Sequence, residues 1–300
     1  MKHILRDNAL EAWSMAVKYC NDILIGKATL GYRKHFVSSL HNAVELFIKQ
    51  RMLDINDYRV VELKNGVLPN GQPARDYYNA TKLNNYFESL NQEQMKPFFS
   101  VEFKKLSNYS KELFDEYYTE SGNKSIVCDA MQKLATLRNN EMHFYVDKDM
   151  FLSEEDFRKL HNFMIVFYEI LQRYNLLPFW GDPGRGEYLK ITFRNTKLEH
   201  FTYKKAVRDS KFVKSLKENI DNQMFPIFGE NSAYEIAESI AVVLNDKYDD
   251  GNFDDLWTYV EMMLEYSILT YEDVVEEYEY EEEGYMHCGC NSYRIYSINN

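Results

Sequence analysis

Apolar residues recur every three or four positions over most of the first 178 residues, which is the spacing of amphipathic helices. This spacing predicts a first helix from about Asn8 to Ile25 and a second from Tyr32 to Leu53. Further helical patterns cover about Ala80 to Leu90 and Gln94 to Tyr118. Between the second helix and Ala80, the run from Asn65 to Arg75 is rich in Gly, Pro and Asn and predicts a loop.

Two more helices are predicted in the middle of the chain. The first has its apolar stripe at Ile126, Val127, Ala130, Met131, Leu134 and Leu137. The second follows Ser153-Glu-Glu-Asp156, which is an N-cap signature. Its apolar residues are Phe157, Leu160, Met164, Phe167, Leu171 and Tyr174. We therefore expect a helical bundle in the N-terminal part of the chain.

The pattern changes after the last of these helices. The run from Leu177 to Gly186 is dense in Pro and Gly and predicts a domain boundary. Beyond it, Tyr188 to Phe193 resembles a strand, and Glu276 to Glu283 and Ser292 to Ile298 alternate like the strands of a terminal hairpin. We predict a mainly α fold, with a helical domain at 1–178 and a smaller, mixed α/β regulatory or sensing domain at 187–300.

Charge is distributed unevenly along the 300 residues, whose net charge is −12. Residues 187–217 contain nine Lys or Arg against three acids, whereas 246–283 contain fifteen acids against one Lys. The overall acidity argues against indiscriminate nucleic-acid binding. Within the basic segment, the candidate RNA-binding residues are Lys204, Lys205, Arg208 and Lys211, although a solvated helix face remains the alternative. The acidic segment contains many aromatic residues, so we expect it to fold and to cover a basic surface of its own chain or of a partner.

No targeting, membrane or metal signal is convincing. The first seven residues lack the apolar run of a signal peptide, and no stretch approaches the roughly 18 apolar residues of a membrane span. We expect a cytoplasmic protein without a membrane partner. The run His287-Cys288-Gly289-Cys290 looks like half of a zinc site, but structural zinc requires four ligands and no second cluster exists. No metal or cofactor is predicted.

The candidate chemistry lies in Leu137-Arg-Asn-Asn-Glu-Met-His143. Arg138 offers a permanent charge in a fork that fits phosphate, and His143 has the side chain whose ordinary pKa lies nearest neutral pH. A cation beside an imidazole suits metal-free cleavage of RNA, where the 2′-hydroxyl is the nucleophile. Asn139 is a candidate for orienting either group. A second Arg-to-His match runs from Arg194 to His200. Because such spacings arise by chance, only the predicted helices around each match can distinguish them.

Geometry limits how Arg138 and His143 can act together. Five positions on a regular helix correspond to about 500° of rotation, which leaves the two side chains about 140° apart. Either the helix breaks or the site needs two chains. Asn139 and Asn140 are poor helix formers, so a break there is one interpretation.

The helix that carries Asn42-Ala-Val-Glu-Leu-Phe-Ile-Lys49, together with the Arg138-Asn139-x-x-x-His143 element and the long helix after it, resembles the HEPN superfamily. The likeness covers roughly residues 8–178. It implies an all-helical bundle and a metal-independent endoribonuclease whose Arg138, Asn139 and His143 line a cleft between two copies, hence a homodimer. Many such proteins are toxins or antiviral RNases.

Two other functions remain open. The first alternative to the nuclease is a HEPN-type binding module without catalysis, for a nucleotide or a nucleotidyltransferase-like protein partner. The second is a helical interaction protein in which Arg138 and His143 are structural. Glu45 and Lys49 lie four residues apart, which favours a helical ion pair, although both are also candidate supporting residues of the cleft. His35 and His41 are interpreted as structural or exposed.

Overall fold

The fold is mainly α, with a smaller α/β part at the C-terminus, as the sequence predicted. The computed structural model describes residues 4–63, 75–142, 151–177, 198–219, 224–228, 232–244, 253–282 and 285–299. The chain forms two compact units, one of Met1–Cys20 with Arg33–Leu198, the other of Asn21–Tyr32 with Glu199–Asn300. Most of the predicted boundary segment, and the strand predicted at 188–193, lie outside the described residues.

The first unit is built from helices and one small sheet. Its helices are α1 (Ile4–Leu24), α2 (Leu30–Asp54), α3 (Arg75–Tyr78), α4 (Leu83–Ser89), α5 (Gln92–Met95), α6 (Phe103–Leu113), α7 (Asp115–Ser121), α8 (Lys124–Met142) and α9 (Glu154–Arg173), with the ends of α1 and α2 belonging to the second unit. Its strands are β1 (Val61–Leu63) and β2 (Phe98–Ser100), which pair antiparallel after a 3-10 turn at Tyr58–Val60.

Aromatic side chains from three long helices meet in the core of this unit. Phe167 of α9 lies 6.0 Å from the ring of Trp13 of α1 and 6.4 Å from that of Phe47 of α2. Phe36 of α2 meets Phe157 of α9 edge to face at 5.5 Å. Each of these five rings is fully buried, and aromatic pairs of this geometry add to the stabilisation from apolar burial. The apolar stripes of α1, α2 and α9 were therefore predicted correctly.

The N-terminus of α9 shows how the sequence fixes a helix boundary. The Ser153 hydroxyl accepts a hydrogen bond from the backbone N–H of Asp156 at 3.2 Å, as the N-cap signature predicted. Glu154, Glu155 and Asp156 occupy the first turn, where carboxylates interact favourably with the partial positive charge of the helix N-terminus.

The prediction of a single helix from Gln94 to Tyr118 is wrong. The region is divided into α5, β2, α6 and α7. Phe98 on β2 packs 5.4 Å from the ring of Tyr77 and 5.3 Å from that of Phe87. A strand of three residues is too short to show an alternation in the sequence, and it forms here because β1 supplies its hydrogen-bonding partner.

The second unit combines short helices with a three-stranded antiparallel sheet. Its elements are α10 (Tyr203–Arg208), α11 (Lys211–Asn219), β3 (Met224–Phe228), α12 (Ala233–Leu244), α13 (Phe253–Glu265), β4 (Leu269–Glu282) and β5 (Tyr285–Ile298), with strand order β3-β5-β4. Phe212 of α11 stacks on Tyr259 of α13 at 5.1 Å. The terminal hairpin was predicted, but both of its strands are longer than the sequence indicated.

Candidate functional site

The predicted catalytic residues lie at the end of α8. Helical backbone continues through Asn139 to Met142, so the predicted break at Asn139 and Asn140 is wrong. Arg138 is half-buried and Asn139 is exposed, which leaves both side chains accessible from solvent. His143 lies outside the described residues.

A row of titratable residues on α2 includes His41, whose pKa is lowered by burial and by the charge of Arg138. His41, Glu45 and Lys49 recur at intervals of four, which places them along one face of the helix. His41 is 8% exposed and its ring stacks on Phe103 at a centroid distance of 3.9 Å. Its Nδ1 atom lies 3.8 Å from Oε2 of Glu45, beyond hydrogen-bonding distance. We call His41, Glu45, Lys49 and Arg138 the α2–α8 cluster.

The pKa of His41 reports the charges around it. Burial lowers this pKa, and the positive charges of Arg138 and Lys49 lower it further, while the Glu45 carboxylate and the Asn42 amide oppose them. The imidazole is therefore neutral at pH 7. The influence of Arg138 on His41 means that the two side chains lie within electrostatic range of one another, although they are nearly a hundred residues apart in sequence.

Glu45 and Lys49 form the ion pair that their spacing predicted. Lys49 donates to Glu45 Oε1 and also to the Ser100 hydroxyl on β2. Lys49 is 5% exposed, so its ammonium group is held inside the unit and is not directed to solvent. A buried lysine retains its charge when a carboxylate and a hydroxyl replace its hydration.

A groove between α1 and α2 opens beside this cluster. It has a volume of about 460 Å³ and is lined by Asn8, Glu11, Ala12, Met15, Ser39, Asn42, Glu45 and Leu46. Its polar side chains supply two carboxylates, two amides and one hydroxyl. Such a lining accepts hydrogen bonds and attracts cationic groups, and it repels a phosphate.

The sequence interpretation of His41 was incomplete. His41 is buried, as a structural residue would be, but it also belongs to the cluster that contains Arg138. The spacing of four shared by His41, Glu45 and Lys49 was a signal for one common face. Ser100 was missed as well, and no local pattern could have indicated it, because it reaches Lys49 through a strand pairing.

The candidate RNA-binding residues lie in the second unit. Lys204, Lys205, Arg208 and Lys211 are all exposed on α10 and α11.

Among the described residues, no group of three or more His, Cys, Asp or Glu side chains is arranged to hold a metal ion. Cys288 and Cys290 are exposed thiols on β5, whereas the side chain of His287 lies outside the described part. None of the described helices is long and apolar enough to cross a bilayer.

Comparisons with protein families, curated proteins and solved structures found no match for this chain.

Proposed function

We propose that the chain is a metal-independent endoribonuclease of the HEPN type. Arg138 neutralises the scissile phosphate and His143 transfers protons. Asn139 orients one of these two side chains. His143 accepts the proton of the 2′-hydroxyl as its oxygen bonds to phosphorus, and the imidazolium returns a proton to the 5′-oxygen as the P–O5′ bond breaks, which gives a 2′,3′-cyclic phosphate and a 5′-hydroxyl. The family resemblance suggests a role as a toxin or in antiviral defence.

One observation carries this proposal. The resemblance rests on two separate segments, the Asn42 to Lys49 run on α2 and the Arg138 motif on α8. Arg138 lies within electrostatic range of His41, the residue directly before the Asn42 to Lys49 run, and this supports the proposal. A chance Arg-to-His spacing would have no reason to lie beside the other segment of the same resemblance. Of the two cations in the cluster, Arg138 is the more exposed, so it is the one that a phosphate outside the unit can reach.

The continuous helix favours a site shared by two chains. Because α8 runs unbroken through Asn139, no helix break at that residue turns the side chains at positions 138 and 143 towards one another. A two-fold dimer would bring Arg138 of one copy to His143 of the other. We therefore propose a homodimer with two such composite pairs.

The first experiment is cleavage of end-labelled RNA, including tRNA, in excess EDTA. The parent protein should cleave and leave 2′,3′-cyclic phosphate ends, and Arg138→Ala and His143→Ala should lose cleavage while remaining folded by circular dichroism. The matched control is His200→Ala, which alters the second Arg-to-His match and should cleave as the parent does. Equal cleavage by the parent and the Arg138→Ala variant would refute the assignment.

Mixing the two inactive variants tests the composite site. If Arg138 of one copy works with His143 of the other, a dimer of Arg138→Ala with His143→Ala retains one intact pair. Half of the dimers formed by random exchange are mixed, and each has one of its two pairs, so about a quarter of the parental activity should return. If both residues act within one chain, mixing restores nothing.

The second candidate function is a non-catalytic HEPN-type binding module for a nucleotide or a nucleotidyltransferase-like partner. The acceptor-rich groove beside Glu45 favours the protein partner, because two carboxylates that repel a phosphate suit the basic side chains of a protein. A folded parent protein that binds such a partner, or a nucleotide, without cutting RNA would support this function over the nuclease. Glu11→Gln should then weaken binding of the basic partner, whereas it should leave RNA cleavage unchanged.

A further inference from the structure

The distal half of the β4–β5 hairpin is exposed on both faces. Val275 and Met286 have 62% and 64% of their surface exposed, and Tyr278 and Tyr280 each have 44%. In the described part of the chain, strand β3 pairs with β5 from Tyr293 to Ser297, and the described remainder of the hairpin is a two-stranded ribbon. Isolated two-stranded ribbons are only marginally stable in water, and exposed apolar side chains on such a ribbon indicate a contact surface.

The hairpin is strongly acidic, and its two-stranded ribbon, residues 275–292, contains six Glu and no Lys or Arg. Residues 269–298 contain eight Asp or Glu and one basic residue, Arg294, which pairs with Asp273 at 2.8 Å. Glu277 and Glu279 lie on one face, opposite Cys290 and Cys288 of β5, and all four residues are exposed. On the other face, the ring of Tyr278 covers Gly289 so closely that a Cβ there would lie 2.6 Å from it.

The same unit has an exposed basic face on α10 and α11. Its members are Lys204, Lys205, Arg208, Lys211 and Lys214, all of them exposed. Their apolar neighbours, Ala206, Val207, Phe212 and Val213, are buried, so the helices are anchored on one side and present cations on the other. Because the acidic ribbon and the basic face are both exposed in a single chain, they do not cover one another within it.

We propose that the acidic β4–β5 ribbon of one copy docks on the α10–α11 basic face of a second copy of this chain. Charge complementarity selects a second copy, because every copy provides both surfaces. The spacings also agree. Side chains two residues apart on a strand, such as Glu277 and Glu279, are about 6.6 Å apart, and Lys204 and Arg208, four apart on a helix, are about 6 Å apart. The carboxylates can therefore meet successive cations.

Docking of this kind makes the basic face inaccessible to other polyanions. The ribbon and RNA would compete for the same side chains, and both contacts would weaken as salt screens the charges. The inference does not depend on the nuclease proposal, since neither surface includes Arg138 or His143.

Cross-linking between distinguishable copies tests the contact directly. Full-length protein labelled with ¹⁵N is mixed with unlabelled protein and treated with a carbodiimide, which joins carboxylates to amines without a spacer. Peptides that join Glu277 or Glu279 of one isotope to Lys204 or Lys205 of the other should appear in 50 mM NaCl and disappear in 0.5 M NaCl. Links confined to one isotope, or no such links, would overturn the proposal.

A charge exchange provides the second measurement. The double variant Glu277→Lys with Glu279→Lys, and the double variant Lys204→Glu with Lys205→Glu, should each lose salt-sensitive self-association in sedimentation velocity experiments. An equimolar mixture of the two should regain it, because each altered surface then meets its complement. The control is Glu88→Lys with Glu93→Lys, which changes the charge equally at exposed sites on other elements and should associate as the parent does. A mixture that stays dissociated would refute docking between copies, and loss of RNA cleavage plays no part in this test.

Discussion

Burial of His161 makes the stability of the helical unit sensitive to acid. His161 lies on α9 and is 3% exposed, and its burial lowers the imidazole pKa from 6.5 to about 4. Between these values the unfolded chain binds a proton that the folded chain does not. Stability is therefore highest above pH 6.5 and falls as the pH is lowered towards 4. The difference of about 2.5 pKa units corresponds to a loss of about 3.5 kcal/mol, since each unit is worth about 1.4 kcal/mol.

Urea unfolding of the parent protein and of His161→Gln, from pH 7.5 to pH 4.5, measures this effect. The variant should lose about 1 kcal/mol at pH 7.5 through altered packing, but its free energy of unfolding should fall less steeply with acid than that of the parent. His200→Gln is the matched control, because that side chain is exposed. Parallel pH profiles for the parent and His161→Gln would refute the reasoning, as would an NMR titration of His161 with a midpoint near 6.5.

Two further predictions concern the backbone and the α2–α8 cluster. Gly26 has a φ of +104°, and a Cβ there would lie 2.9 Å from the backbone of α10, so Gly26→Ala should cost more than about 2 kcal/mol of unfolding free energy. Gly122, with a φ of +72° and open space around it, should cost only about 1 kcal/mol when changed to Ala. In an NMR titration, Arg138→Gln should raise the pKa of His41 and Glu45→Gln should lower it, because the two charges act in opposite directions. Shifts of the same sign would contradict the observed arrangement.

Long helices were predictable because their information is local. The stripes of α1, α2 and α9 each repeat over five turns or more, so a few irregular positions do not hide the period. The N-cap at Ser153 is local too. The short strand β2 and the hydrogen bond from Lys49 to Ser100 depend on residues far away in sequence, and no window around Ser100 contains that information.

Asn139 and Asn140 show the limit of propensity. Both are poor helix formers, yet α8 continues through them. Their cost relative to Ala is below about 0.7 kcal/mol each, which is small beside the packing of the turns that precede them, where Leu134 and Leu137 are buried. Tertiary burial therefore outweighs local preference at Asn139 and Asn140. The sequence left a helix break and a two-chain site open, and the break does not occur at these residues.

The two permanent cations of the α2–α8 cluster have different roles. Lys49 is 5% exposed and donates to Glu45 and Ser100, so its charge is satisfied inside the unit and serves to join α2 to β2. His41 is neutral at pH 7 because burial and the adjacent cations lower its pKa, and it brings no charge of its own. Arg138 is half-buried at the end of a long, well-packed helix. In the proposed nuclease, a phosphate that approaches from solvent would therefore reach Arg138 and not Lys49, and a helical position would spare the entropic cost of ordering a loop.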